Sequence, residues 1–236
     1  MIKTIAFDGD DTLWHNERIF SMTQEKFRAL IRSYVPEGEI DDRLQRTEIE
    51  NLRIFGYGIK GFTLSMVETA IALTDGRITA RDIQAIIGFG REMLEHPVEL
   101  LDDVRETVEA LKDRYRLIII TKGDLFDQES KVARSGLADL FWRVEIVSEK
   151  DAATYGSILK RHDIAPSEFL MIGNSVRSDV LPVLEIGARA VHLPYELTWV
   201  HEVVTPSAAG DGFPVLERMA DFPALVARLD QLAPAS

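Results

Sequence analysis

Asp8, Asp10 and Asp11 crowd together where an apolar run ends, in the string Phe7-Asp8-Gly9-Asp10-Asp11-Thr12-Leu13. Carboxylates this close repel, and a cation among them offsets the cost. An aspartate can attack phosphorus as a nucleophile. Its own charge opposes approach to a phosphate dianion, so a metal ion and a lysine must neutralise that charge first. A second carboxylate two residues on can protonate the leaving oxygen and then activate water. An Asp-x-Asp pair alone, however, is commonly a loop or a helix cap. The remainder of the chain must supply the partners.

Those side chains need a frame. Residues 2–7, IKTIAF, have the continuous apolar character of a buried parallel strand. Similar runs recur at 117–121 (LIIIT), 144–148 (VEIVS), 169–172 (FLMI) and 188–193 (ARAVHL). Helical spacing fills the gaps: Val104, Val108, Leu111 and Tyr115 share a face, and residues 126–133, 155–159 and 180–186 behave alike. Strands alternating with helices predict an α/β fold, a doubly wound parallel sheet with helices on both faces. Such sheets bind ligands beyond the carboxyl ends of their strands.

Four strand ends carry reactive residues. The first supplies Asp8, Asp10, Asp11 and Thr12, and the second Thr121, Lys122 and Gly123. The third supplies Lys150, and the fourth Gly173, Asn174, Ser175 and, one turn later, Asp179. Oxygen ligands without His or Cys favour a hard ion such as magnesium. A lysine and a Thr-Lys-Gly turn beside it suit a phosphate, with backbone amides as further donors. Singly, each residue has an ordinary explanation. Thr121 is a β-former, Lys150 a surface lysine and Asn174 a turn residue. Their agreement across four strand ends favours chemistry.

Between the first two strands lie residues 15–97, far more than one crossover helix needs. The pattern predicts four helices, at about 17–34, 40–55, 62–74 and 79–95. A helical domain at 15–97 is therefore expected within a core formed by 1–14 and 98–236. Gly56-Tyr57-Gly58-Ile59-Lys60-Gly61 fits G-x-G-x-x-G but follows a helix, so it reads as a flexible connection and not a dinucleotide site. Tyr57 and Lys60 on it, and Trp14 after the first strand, are candidate substrate contacts. A Pro/Gly/Ala loop at Thr205–Pro214 precedes a last helix at about 215–231.

Composition excludes several function classes. The 236 residues include 27 Lys plus Arg against 39 Asp plus Glu, a net charge of −12. Phosphate backbones and anionic membranes would repel such a chain, so nucleic-acid and membrane partners are not expected. A small phosphorylated metabolite remains compatible where a metal and lysines reverse the sign locally. With no cysteine, disulfides, thiolate zinc sites and cysteine nucleophiles are ruled out. The N-terminus turns acidic at Asp8, unlike a signal peptide, and no apolar run approaches the roughly 20 residues of a membrane span. A cytoplasmic monomer or homodimer is expected.

Taken in order, the four strand ends resemble the four motifs of the haloacid dehalogenase-like superfamily. Asp8 through Leu13 match the first, Thr121 the second, Lys150 the third, and Gly173-Asn174-Ser175 through Asp179 the fourth. The helical insertion resembles that superfamily's cap. The resemblance implies that Asp8 is the nucleophile and a metal ligand. Asp10 would be the acid/base and would also give its backbone carbonyl to magnesium, while Thr12 orients it. Thr121 and Lys150 would hold the phosphoryl group, helped by a backbone amide of Lys122 or Gly123. Asn174 and Asp179 would serve the metal. Asp10 points to the phosphatase branch, because the dehalogenases lack that carboxylate. Two positions depart from the common pattern: Asp11 stands where many members have Gly, and Asn174 where many have Asp. A phosphomutase on the same scaffold is an alternative. A receiver-type signalling domain fits less well, since its phosphorylated Asp follows the third strand.

Overall fold

The computed structural model describes residues 1–35, 37–197 and 212–231. Five strands form one sheet: β1 (Thr4–Phe7), β2 (Arg116–Lys122), β3 (Arg143–Val147), β4 (Phe169–Gly173) and β5 (Arg189–His192). Their order is β3-β2-β1-β4-β5, and every pairing is parallel. The two central strands β1 and β4 are buried at every residue, which is why their sequences are apolar throughout.

Alternate residues feed two cores. Ile5, Phe7, Ile119 and Ile172 point to one side, where α5 (Val104–Leu111) and α9 (Phe222–Gln231) cover them. Ala6, Ile118, Ile120 and Met171 point to the other, against α7 (Ala152–Arg161) and α8 (Leu181–Glu185). The period-2 side-chain alternation thus makes a three-layer α/β fold, as expected from the sequence. Burying each Ile or Phe contributes about 1.5–3 kcal/mol.

β3 departs from its expected burial. It is an edge strand, with Arg143 and Val144 exposed and the rest half-buried. An apolar run does not reveal which strand lies outermost. The loop expected at Thr205–Pro214 lies, up to residue 211, outside the described residues. The last helix begins at Phe222 and not near 215, after a short 3-10 turn at Met219–Asp221.

The chain divides into two compact units. One comprises Met1–Glu17, Val98–Lys122 and Gln128–Ser236 and contains the sheet; the other comprises Arg18–Pro97 with Gly123–Asp127. The second unit is built on α1 (Glu17–Ile31), α2 (Ile40–Phe55), α3 (Ile59–Leu73) and α4 (Ala80–Glu95) around Phe27, Ile31, Leu44, Met66 and Ile86. Thr79 caps α4, its side chain accepting from the Asp82 N–H. The connection between α2 and α3 is shorter than the glycine pattern implies. Ile59, Lys60 and Gly61 already belong to α3, because Gly58 at φ 108° turns the chain and Ile59 is buried. Among the described residues, no helix is long and apolar enough to cross a membrane.

Candidate active site

The sheet unit by itself brings together Asp8, Thr12, Lys150, Asn174 and Asp179. Asp8 extends β1 by one residue, its N–H donating to the Ile172 carbonyl at 2.9 Å. The Lys150 ammonium reaches from beyond β3 and donates to Asp8 Oδ1 and, at 2.6 Å, to Asp179 Oδ1. All three are buried. A lysine tolerates such burial only when carboxylates flank it.

Burial pushes the Asp8 carboxyl up to about 7; the Lys150 charge opposes this and the Asp179 charge adds to it. For Lys150, burial works against the charge, but Asp179 and Asp8 outweigh it and hold the ammonium well above the usual lysine range. The ammonium therefore stays charged beside a carboxyl that burial has raised.

Asp179 arrives by close packing. A Cβ on Gly173 would lie 2.3 Å from Asp179 Cγ, so only glycine lets the chain fold back here. The turn Val176–Val180 is π-helical, an uncommon geometry that recurs at functional sites. It starts at Ser175, whose N–H donates to Asp179 Oδ2 at 3.0 Å. Thr12 ties the first and fourth strand ends together: its hydroxyl oxygen accepts from the Asn174 N–H at 3.0 Å and lies 3.3 Å from Asp8 Oδ2.

Asp10 turns elsewhere. Its Oδ1 accepts from Trp14 Nε1 at 2.7 Å and Lys131 Nζ at 3.0 Å. Its Oδ2 accepts from Gln128 Nε2 at 2.8 Å and Lys131 Nζ at 3.2 Å. Gly9 makes room, since a Cβ there would sit 2.8 Å from the Trp14 ring and 3.1 Å from Thr121 Oγ1. Asp11 adopts a left-handed φ of 60°, which accounts for glycine being an easy occupant of this position. Aspartate tolerates that conformation, and here it accepts from the Asn16 and Glu17 N–H groups at the start of α1. Burial and then the Asp10 charge push its carboxyl up to about 7.

The oxygens around Asp8 test whether magnesium would fit. The Asn174 amide turns one terminal atom toward the Asp10 carbonyl oxygen at 3.3 Å and Asp8 Oδ2 at 3.2 Å. As nitrogen, that atom donates to both. As oxygen, it completes three oxygens with no proton between them, a set that a hard cation would hold. Ligands about 2.1 Å from magnesium at right angles stand about 3.0 Å apart, near the observed spacings. Among the described residues, no three carboxylate or imidazole side chains gather in metal-binding geometry. The fit thus depends on a backbone carbonyl and an amide. Asp179, expected among the ligands, has both oxygens engaged by Lys150 and Ser175.

Residues 2–187 match the family model of haloacid dehalogenase-like hydrolases. The crystal structure of a haloacid dehalogenase-like family hydrolase from Xanthomonas campestris is 46% identical, with a TM-score of 0.88 over 98% of this chain and 92% of that one. The chain belongs to the haloacid dehalogenase-like hydrolases. Two more distant structures share the fold. A 2-haloacid dehalogenase from Pseudomonas syringae pv. Tomato is 21% identical over 97% of this chain and 99% of that one, with a TM-score of 0.66. A predicted phosphoglycolate phosphatase from Haemophilus somnus is 17% identical over 95% and 98%, with a TM-score of 0.64. A search of curated proteins gave no match.

Within this haloacid dehalogenase-like hydrolase, the remaining candidate residues have several kinds of partner. Trp14, a candidate substrate contact, is 1% exposed and spends its indole N–H on Asp10. Thr121 is buried at the end of β2 and donates to Gln128 Oε1 at 3.1 Å. Lys122 Nζ reaches Ser178 Oγ at 3.1 Å and Glu149 at 3.5 Å. Gly123, with φ 153°, falls in the second compact unit. There Lys60 pairs with Asp124 at 2.9 Å and lies 5.4 Å from the centre of the Phe126 ring, while Tyr57 is half-buried. Sequence reading missed Gln128 and Lys131 on α6 (Leu125–Arg134), both buried. Their i, i+3 spacing, which puts them on one face of the helix, was the available signal.

Proposed function

We propose that the chain is a magnesium-dependent phosphatase that hydrolyses a small phosphate monoester through an aspartyl-phosphate on Asp8. An Asp8 carboxylate oxygen attacks phosphorus, and the bond to the leaving alcohol breaks. Asp10 gives its proton to that leaving oxygen. Water then attacks the aspartyl-phosphate while Asp10 takes a proton back, releasing inorganic phosphate and restoring Asp8. Lys150 offsets charge at Asp8, and the Thr121 hydroxyl serves the phosphoryl group. Asp8 Oδ2, the Asp10 carbonyl and Asn174 would hold magnesium, which would supply electrostatic stabilisation to the phosphoryl oxygens.

The observation that carries this reading is the second carboxylate. Asp10 sits two residues beyond Asp8, with its carbonyl beside the Asn174 amide and its side chain held by N–H donors. Charge supports it as well. Asp8, Asp10 and Asp179 outnumber Lys150 and Lys131, so a dianionic substrate calls for a further cation. Residues 15–97 are proposed as a substrate-selecting cap, and a small phosphorylated metabolite as the substrate. The test is release of phosphate from a panel of monoesters with magnesium, beside release of chloride from 2-chloropropionate. Phosphate release that is lost in Asp8→Asn supports the reading. Chloride release without phosphate release would replace it by dehalogenation.

A further inference from the structure

Gln128 links two parts of the site that are remote in sequence. The Thr121 hydroxyl donates to Gln128 Oε1 at 3.1 Å, and Gln128 Nε2 donates to Asp10 Oδ2 at 2.8 Å. The side chain is 2% exposed, so neither end of its amide has bulk water as a substitute partner. Leaving a buried amide half-satisfied is costly, so the orientation of Gln128 is tightly set.

The other donors to Asp10 are Trp14 and Lys131. Trp14 and Lys131 converge on Oδ1 at 2.7 and 3.0 Å, leaving Lys131 at 3.2 Å as the other donor on Oδ2. Lys131 also gives a hydrogen bond to Asn16 Oδ1 at 2.8 Å. Gln128 connects the Asp10 carboxylate directly to the end of β2.

We propose that Gln128 is a positioning residue that fixes the rotation of the Asp10 carboxylate relative to the Thr121 hydroxyl. Proton delivery to the leaving oxygen then depends on Gln128, whereas attack by Asp8 does not. This rests on the phosphatase reading above, in which Asp10 handles the leaving-group proton.

The leaving group provides the test. p-Nitrophenolate departs with little help from an acid, while an alkoxide needs a proton. In Gln128→Met, which keeps length and loses both hydrogen bonds, kcat for an alkyl phosphate such as glycerol phosphate should fall by about 10-fold or more. With p-nitrophenyl phosphate the fall should be within about threefold, and KM for both esters should hold. Equal losses on the two esters, or a loss confined to KM, would overturn the inference, since Gln128 would then be serving the Thr121 side or the fold. Should the methionine variant not fold, Gln128→Glu keeps the side-chain shape, turns an acceptor toward Asp10 and must give the same contrast. The phosphatase reading is checked separately with unmodified enzyme and Asp8→Asn. An unmodified enzyme inert to both esters with magnesium overturns that reading and this inference with it.

Discussion

Asp8 and Asp10 share one turn and face opposite surroundings. Asp8 is buried against a single ammonium that it divides with Asp179, and burial holds its carboxyl near neutrality. Asp10 is half-buried and receives N–H groups from three side chains, Trp14, Gln128 and Lys131. The nucleophile proposed at Asp8 needs an uncrowded oxygen and charge compensation; the acid/base proposed at Asp10 needs a fixed direction. Two identical side chains are thereby made unequal by what packs around them.

The harshest way to break this comparison is Asp8→Asn. The amide keeps the shape and removes the oxygen proposed to attack, so phosphate release should drop by about 10⁴-fold or more while circular dichroism stays native. Asp10→Asn should cost less, about 10²–10⁴-fold, and its loss should be larger on alkyl than on p-nitrophenyl phosphate. If Asp10→Asn proved the more damaging on p-nitrophenyl phosphate, the two roles would have to be exchanged.

Lys150→Met moves the comparison from rate to stability. It leaves Asp8 and Asp179 buried without their shared cation, a change that typically costs about 3–5 kcal/mol. Thermal unfolding without added metal should show a large drop in Tm. Lys131→Met, at a less enclosed carboxylate that keeps Trp14 and Gln128, should lower Tm by clearly less.

How much of this was legible in the sequence depended on the kind of element. β1 and β4 are buried on both faces, so their composition announced them and placed Asp8 and Gly173–Asp179 at their ends. β3 showed the same apolar run and lies at the edge, because sheet order arises from tertiary pairing. Gln128 and Lys131 were hidden for a related reason. A polar residue on a helix's inner face looks like a flaw in the pattern until its partner, here Asp10 over a hundred positions earlier, is brought to it. Trp14 read as a candidate substrate contact because no local signal shows that Gly9 clears a path for its ring.

The smallest change bears on the metal side of the comparison. Asn174→Asp would replace an amide that lies 3.2 Å from Asp8 Oδ2 with a second negative charge. Without magnesium the two carboxylates should repel, and Tm should fall by a few degrees, corresponding to about 1 kcal/mol. With magnesium the added charge should tighten binding by roughly tenfold, about 1.4 kcal/mol, and the bound ion should raise Tm above that of unmodified protein at the same concentration. The sign of the effect on Tm should therefore reverse between chelator and magnesium, independently of any activity. A shift of the same sign in both would remove Asn174 from the set of groups facing the ion and leave it as a hydrogen-bond donor to Asp8 and the Asp10 carbonyl.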